Sequence, residues 1–321
     1  VADEIIMKNG SRLVGTLISV QGDKIKFDTP FAGELSVAVA NVEAIYTDKP
    51  ITVLMEDGRV LHDQQIVARQ DVLTMQGPDN QVTSFKPSDI AAINPEPWRM
   101  GDGYRWSGKL SGALEAERGN SDSDELDFEG ESVWRSLVDR YTVRGLWERD
   151  ETNNKKITDN WRIRGKYDHF RQHNPNDYFG WLLAFESDDF ADLDLRTITG
   201  PYVGRQYFDT HLLDLAGEIG LVYVDEQFIE ADDDDFIGSS WELRLTSDWL
   251  SEHTEFYVNQ DGIINFDDFD GVLVNTTIGI GFPIINGLMG AFEAKFEYDG
   301  GAVEGVDELD ETYKFRLGYE W

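Results

Sequence analysis

"ETYKFRLGYEW", residues Glu311 to Trp321, alternates without a break. Tyr313, Phe315, Leu317, Tyr319 and Trp321 share one face; Lys314, Arg316, Gly318 and Glu320 share the other. A period of two marks a strand with unlike faces. Chains usually end in a few frayed polar residues. A two-faced strand running to Trp321 therefore implies that both its edges are held and that one face is covered.

The rest of the 321 residues must supply that cover. There is no cysteine, which excludes disulfides and thiolate metal sites. A net charge of −34 excludes nucleic acid as a partner, because phosphate contacts need a basic face. No apolar run approaches the roughly 20 residues of a membrane-spanning helix. The opening "VADEIIM" has neither a basic nor an apolar leader region, as expected of a cytosolic protein or of one whose signal peptide has been removed. Nine Trp, twelve Tyr and eighteen Phe are too many for an acidic disordered chain. No run at helical spacing exceeds two turns, so the expected fold is all-β.

The N-terminal part repeats. "IIMKNGSRLVG" (Ile5 to Gly15) and "VLMEDGRVLHD" (Val53 to Asp63) each read strand, Asn-Gly or Asp-Gly turn, strand. The 48-residue offset from Gly10 to Gly58 also carries Ile25 onto Leu73, Phe27 onto Met75, and "NVEAI" onto "DIAAI". Two units are expected, 1–48 and 49–94. Over about residues 3–94 the pattern resembles Sm-like and SH3-like small barrels, and a plain β-rich spacer fits the same strands. Unpaired edges there favour self-assembly or a protein partner. "NPEPWRMGDG" (Asn94 to Gly103) interrupts the pattern, and 95–103 reads as a linker.

From residue 104 to 321 about twelve strands are expected in an antiparallel transmembrane β-barrel. They lie near 104–118, 124–136, 139–150, 157–171, 177–187, 193–207, 210–225, 237–249, 252–260, 270–282, 288–299 and 311–321. An even count lets the last strand pair with the first and removes both edges. Two aromatic bands are expected at the rims. One holds Trp106, Trp134, Tyr141, Trp181, Trp249, Phe282 and Trp321; the other holds Phe128, Trp161, Tyr223, Trp241, Phe296 and Tyr313. Connections such as "LVD" and "FDT" are short, while "DEQFIEADDDDF" and "DGIINFDDFDG" are long and acidic. That asymmetry is the layout of bacterial outer-membrane barrels, with residues 1–94 in the periplasm of a Gram-negative cell.

Three stretches, "WSGKLSGALEAERGNSDS", "DYFGWLLAFESDDFADLDLRTITGPYVGRQYF" and "KFRLGYEW", resemble the salt-induced outer-membrane protein family from about Trp106 to Trp321. The resemblance implies location and fold, and no catalytic residues.

No hydrolase elbow or His-Glu-x-x-His motif occurs. "GYRWSGKL" matches Gly-x₄-Gly-Lys, but Leu110 replaces the metal-binding hydroxyl residue and the stretch alternates as a strand. His62, His169, His173, His211 and His253 are scattered. No enzyme is expected, and a Ser-His hydrolase pair is the distant alternative.

The charged residues of the inner face are the candidate site. Arg105, Lys109, Glu115, Glu117, Asp127, Glu129, Glu131, Arg144, Arg162, Arg164 and Lys166 are expected to line a lumen. In this reading the acids of the first two strands face the bases of the third and fourth. Asp232, Asp233, Asp234, Asp235, Asp267, Asp268 and Asp270 crowd the long loops, where they could hold Ca²⁺ or Mg²⁺ or share such ions with lipopolysaccharide. No other cofactor is expected. The leading function is a small pore for ions or solutes; the alternative is a plugged barrel anchoring the repeat domain for self-assembly or partner binding.

Overall fold

A computed structural model describes residues 2–321, apart from 23, 70–72, 86–88, 118–122, 153–154, 172–173, 211, 252–253, 286 and 302–307. Among the described residues there is no α-helix, and strands alternate with a few 3₁₀ turns. The chain divides into two compact units, Val1–Gly103 and Tyr104–Trp321.

The described residues of the first unit form ten strands. They are β1 (Asp3–Met7), β2 (Arg12–Gln21), β3 (Lys24–Thr29), β4 (Gly33–Ala38), β5 (Val42–Tyr46), β6 (Ile51–Met55), β7 (Val60–Arg69), β8 (Leu73–Gln76), β9 (Val82–Phe85) and β10 (Ile90–Ile93). The order β4-β3-β2-β1-β5 recurs as β9-β8-β7-β6-β10. The duplicated turn recurs atom by atom. Gly10 and Gly58 have φ of 84° and 83°, which glycine adopts without strain. Their amides bond Met7 and Met55 carbonyls at 2.9 Å in each case. Asn9 and Asp57 each accept the amide two residues on, from Ser11 and Arg59. The Arg59 backbone amide, helped by its guanidinium, holds the Asp57 carboxyl below its ordinary range.

The two halves are not separate barrels. β10 pairs with β2 as well as β6, and one apolar core runs through both, including Ile5, Phe27, Ile45, Val53, Ile66, Met75 and Ile93. Buried Asp3 fastens the first half internally, accepting the amides of Leu17 at 2.7 Å and Asp48 at 2.8 Å. Asp3→Ala removes the acceptor of the buried Leu17 amide, at a cost of about 1–3 kcal/mol. Hydrogen exchange of the full chain in detergent is expected to speed up at Leu17, by about 5- to 150-fold at 1.4 kcal/mol per tenfold.

The second unit is a closed antiparallel barrel of twelve strands in chain order. They are β11 (Arg105–Glu117), β12 (Ser123–Arg135), β13 (Asp139–Thr152), β14 (Lys155–Arg171), β15 (Asn174–Asp188), β16 (Leu193–Thr210), β17 (Leu213–Phe228), β18 (Asp234–Ser251), β19 (Thr254–Asn265), β20 (Val272–Ile285), β21 (Leu288–Asp299) and β22 (Leu309–Glu320). β22 pairs with β11, so the chain closes on itself. Trp321 exchanges two backbone hydrogen bonds with Gly108, at 3.2 and 3.0 Å. Its ring lies on that glycine, where a Cβ would come within 2.5 Å of it.

Several strands outrun the sequence-based bounds. β19 continues to Asn265 and β13 to Thr152, consuming residues read as loop. Acidic composition does not end a ladder, because backbone pairing needs no apolar side chain. Gly262 within β19 admits the Trp241 ring, which would meet a Cβ at 2.2 Å. The strands have 12 to 18 residues, more than the roughly 9–11 that cross a bilayer obliquely.

Polarity is inverted relative to a water-soluble barrel. Leu110, Ile163, Leu183, Val203, Leu221, Ile237 and Phe292 are exposed on the outside, whereas Asp127, Asp168 and Arg316 are almost wholly buried within. Strand registers bring the aromatics into rows. Trp106, Trp134, Tyr141, Tyr167 and Trp181 are successive cross-strand partners near the short turns; Phe128, Trp147 and Trp161 form a second row toward the long connections.

Candidate functional site: a charged lumen

Alternation turns one residue in two inward, and on most strands those residues are charged. Asp127 of β12 receives both terminal nitrogens of Arg316 at 2.7 Å and Lys314 Nζ at 2.7 Å, both from β22. Glu129 lies 3.7 Å from Arg316, whose Nε donates to Glu293. Lys314 and Lys295 also reach Glu148 of β13, at 3.0 and 3.1 Å.

Around β14 a second network forms. Arg144 donates to Glu131 and, at 3.2 Å, to Glu242 of β18. Arg164 reaches Asp261 of β19 at 2.9 Å, and Lys166 donates to Glu218 and, at 2.7 Å, to Glu242. Arg162 donates to Glu186 at 2.5 Å. Such pairs offset desolvation only where hydrogen bonding is nearly complete; here Lys166 reaches two carboxylates, while Arg164 Nε is buried with no partner among the described residues.

Eight of the predicted lumen residues thus sit inside with defined surroundings: Lys109, Asp127, Glu129, Glu131, Arg144, Arg162, Arg164 and Lys166. Arg105 is exposed at the start of β11. Glu115 and Glu117 belong to β11, but their side chains lie outside the described residues. The predicted arrangement of opposing walls needs correction. In a twelve-strand ring the opposite wall is six strands away, so the β12 acids stand beside the bases of β13 and β14. The acids that reach those bases across the lumen include Glu218 on β17, Glu242 on β18 and Asp261 on β19.

Sequence reading also missed an apolar filling on one side of the lumen, which includes Phe170, Tyr178, Leu182, Ile198, Tyr202 and Val222. A signal existed. Tyr178-x-Gly180 and Tyr202-x-Gly204 lie in register on β15 and β16, each Tyr opposite the other's Gly. A Cβ on Gly180 would meet Tyr202 at 2.5 Å, and one on Gly204 would meet Tyr178 at 2.3 Å. Tyr178 donates to Glu218 at 2.8 Å, which ties this filling to the ionic network.

The loop acids make local bonds. Asp233 accepts the Phe228 amide, Asp234 that of Asp235, and Asp268 that of Asp270. Asp232, Asp235, Asp267 and Asp270 are exposed beside them. Among the described residues no three His, Asp or Glu side chains gather in a group that could hold a metal. His169 lies 2.9 Å from Asp139, and among the described residues no serine hydroxyl bonds a histidine. His173, His211 and His253 fall outside the described residues.

Two chambers remain open between these networks. One of about 330 Å³ lies toward the long connections, and one of about 440 Å³ lies toward the short turns. Leu146, Arg162, Arg164, Asp261, Asn275 and Glu297 line both. They form a collar: Leu146 and Arg162 are cross-strand partners on one side, and Asp261, Asn275 and Glu297 are successive partners on the other. The Arg164–Asp261 pair bridges β14 and β19 at this level.

An apolar outer surface around a charged, chambered interior defines a membrane-type antiparallel β-barrel. The chain belongs to the family described as "Protein of unknown function, DUF481", whose profile matches residues 112–321. That description names no activity and no response to salt. Among curated proteins none matches the chain. Solved structures of similar fold include the NanC porin, at 10% identity over 66% of this chain and 97% of that one, with a TM-score of 0.41. The translocator domain of the autotransporter NalP from Neisseria meningitidis shares 13% identity over 68% and 88%, with a TM-score of 0.38. The outer membrane channel DcaP of Acinetobacter baumannii shares 8% over 100% and 94%, with a TM-score of 0.33.

Proposed function

We propose that this chain is a Gram-negative outer-membrane barrel that conducts small cations through a narrow, chambered lumen, with its N-terminal unit in the periplasm. The carrying observation is the pair of chambers that share one collar. Charge supports the sign of the permeant. Each of the three guanidinium groups lining the outer chamber, on Arg162, Arg164 and Arg196, lies within 4 Å of a carboxylate. Asp188, Asp234, Asp268, Glu297, Glu308 and Asp310 line the same chamber with no described cation that close. An excess of carboxylate concentrates cations and repels anions.

The test is single-channel recording of the purified full chain in a planar bilayer. Asp261→Ala removes the bridge across the collar and is expected to raise unit conductance about twofold or more, by widening the passage between the two chambers. Wild-type and variant barrels that are folded yet silent would sink the channel reading. A second reading would then stand, in which the cross-lumen ion pairs and apolar filling make a plugged anchor. The N-terminal unit would take a partner or a second copy on β4 and β9, the ends of its sheet path.

A further inference from the structure

We infer that Glu297 is the residue that selects the sign of the permeant ion, as the binding carboxylate for a monovalent cation at the collar. This rests on the channel reading above. Four of the six collar residues can carry charge, and three of those are committed within the described structure. Arg162 is held by Glu186 at 2.5 Å, and Arg164 and Asp261 hold each other at 2.9 Å. Asn275 donates to Asp261 at 3.3 Å. The Glu297 carboxylate alone among the charged four has no hydrogen bond and no cation within 4 Å among the described residues, although it lines both chambers.

Its register fixes where it acts. Glu297 is the cross-strand partner of Asn275, which is in turn the partner of Asp261. The uncommitted carboxylate therefore stands two strands from Asp261 on the collar where the two chambers meet. A single fixed charge acts most strongly there, because the passing ion is near it and little water lies between them. At the opposite end of the inner chamber, Glu255 likewise has no described partner. It lies six residues from Asp261 along β19, roughly 20 Å at ~3.3 Å per residue. An ion leaving the collar thus meets a second carboxylate further down the same wall, which favours exit over trapping.

The experiment compares wild type with Glu297→Gln, Glu297→Ser and the mouth variant Asp310→Asn. The full chain is placed in a planar bilayer under a tenfold KCl gradient. Reversal potential gives the cation-to-anion permeability ratio, and heat-modifiable electrophoretic mobility confirms a closed barrel. Wild type is expected to prefer K⁺, and both Glu297 variants are expected to lose that preference about fivefold or more. Asp310→Asn should lose much less. Glu297→Ser gives the reading if the glutamine variant does not close. An unchanged ratio in the Glu297 variants, or an equal loss in Asp310→Asn, overturns the assignment while leaving the channel intact. No conductance from closed wild-type barrels overturns the channel reading and the assignment together.

Discussion

Asp127→Ala is expected to lower the stability of the barrel by about 3–5 kcal/mol, the usual cost of stranding a buried charge. Asp127 is completely buried and Arg316 is 2% exposed, so water cannot replace the missing carboxylate. Arg316 would keep Glu293, and Glu129 at 3.7 Å, but lose both terminal hydrogen bonds, and Lys314 would lose its 2.7 Å bond while keeping Glu148. Urea-dependent folding into lipid vesicles, read by tryptophan fluorescence, gives the number. The double variant Asp127→Leu with Arg316→Met removes both charges and should recover most of the loss, since an apolar pair of similar volume needs no partner. A loss below about 1 kcal/mol in the single variant would mean that water reaches this network freely.

Gly108→Val is expected to stop the barrel from closing. The new Cβ would meet the Trp321 ring at 2.5 Å and the Glu131 carbonyl oxygen at 2.7 Å. The second contact is with backbone and cannot be relieved by a rotamer change. Either the β11–β12 or the β11–β22 ladder must shift, and in lipid each freed backbone group costs several kcal/mol. The variant should run on unboiled gels at the mobility of the unfolded chain. Gly145→Val serves as the control, because a Cβ at Gly145 meets nothing within 4 Å. Equal mobility shifts in both variants, or in neither, would remove Trp321 packing from the account of closure.

The barrel was legible because its signals are local. Period-two alternation in residues 311–321 and the aromatic rows survive any error of a few residues at strand ends. Strand lengths were less legible. "DGIIN" reads as loop by its Asp-Gly pair, yet Gly262 is in strand because Trp241 needs the space above it. That requirement belongs to the neighbouring strand. The lumen was half legible. Inward parity identified Asp127 and Arg164, but the placement of acidic and basic walls ignored the ring, in which adjacency in sequence is adjacency in space. Lys314 and Arg316 were visible on the inner face of the last strand, and only closure reveals that they neutralise Asp127 on the second. The partner of a charge in a barrel is fixed by ring geometry more than by spacing.

Besides the Gly108–Trp321 bonds, the seam between β11 and β22 pairs four residues, from Lys109 with Glu320 to Gly112 with Leu317, whereas β11 and β12 pair thirteen. The other eleven ladders join chain neighbours across short or moderate connections and can zip one after another. The seam joins positions more than two hundred residues apart. Its closure carries the largest loop entropy, and it is expected to be the slowest and last step of assembly. Once formed it holds the fewest rungs, so thermal opening starts there. The barrel has a kinetic front door, and Trp321 on Gly108 is its latch.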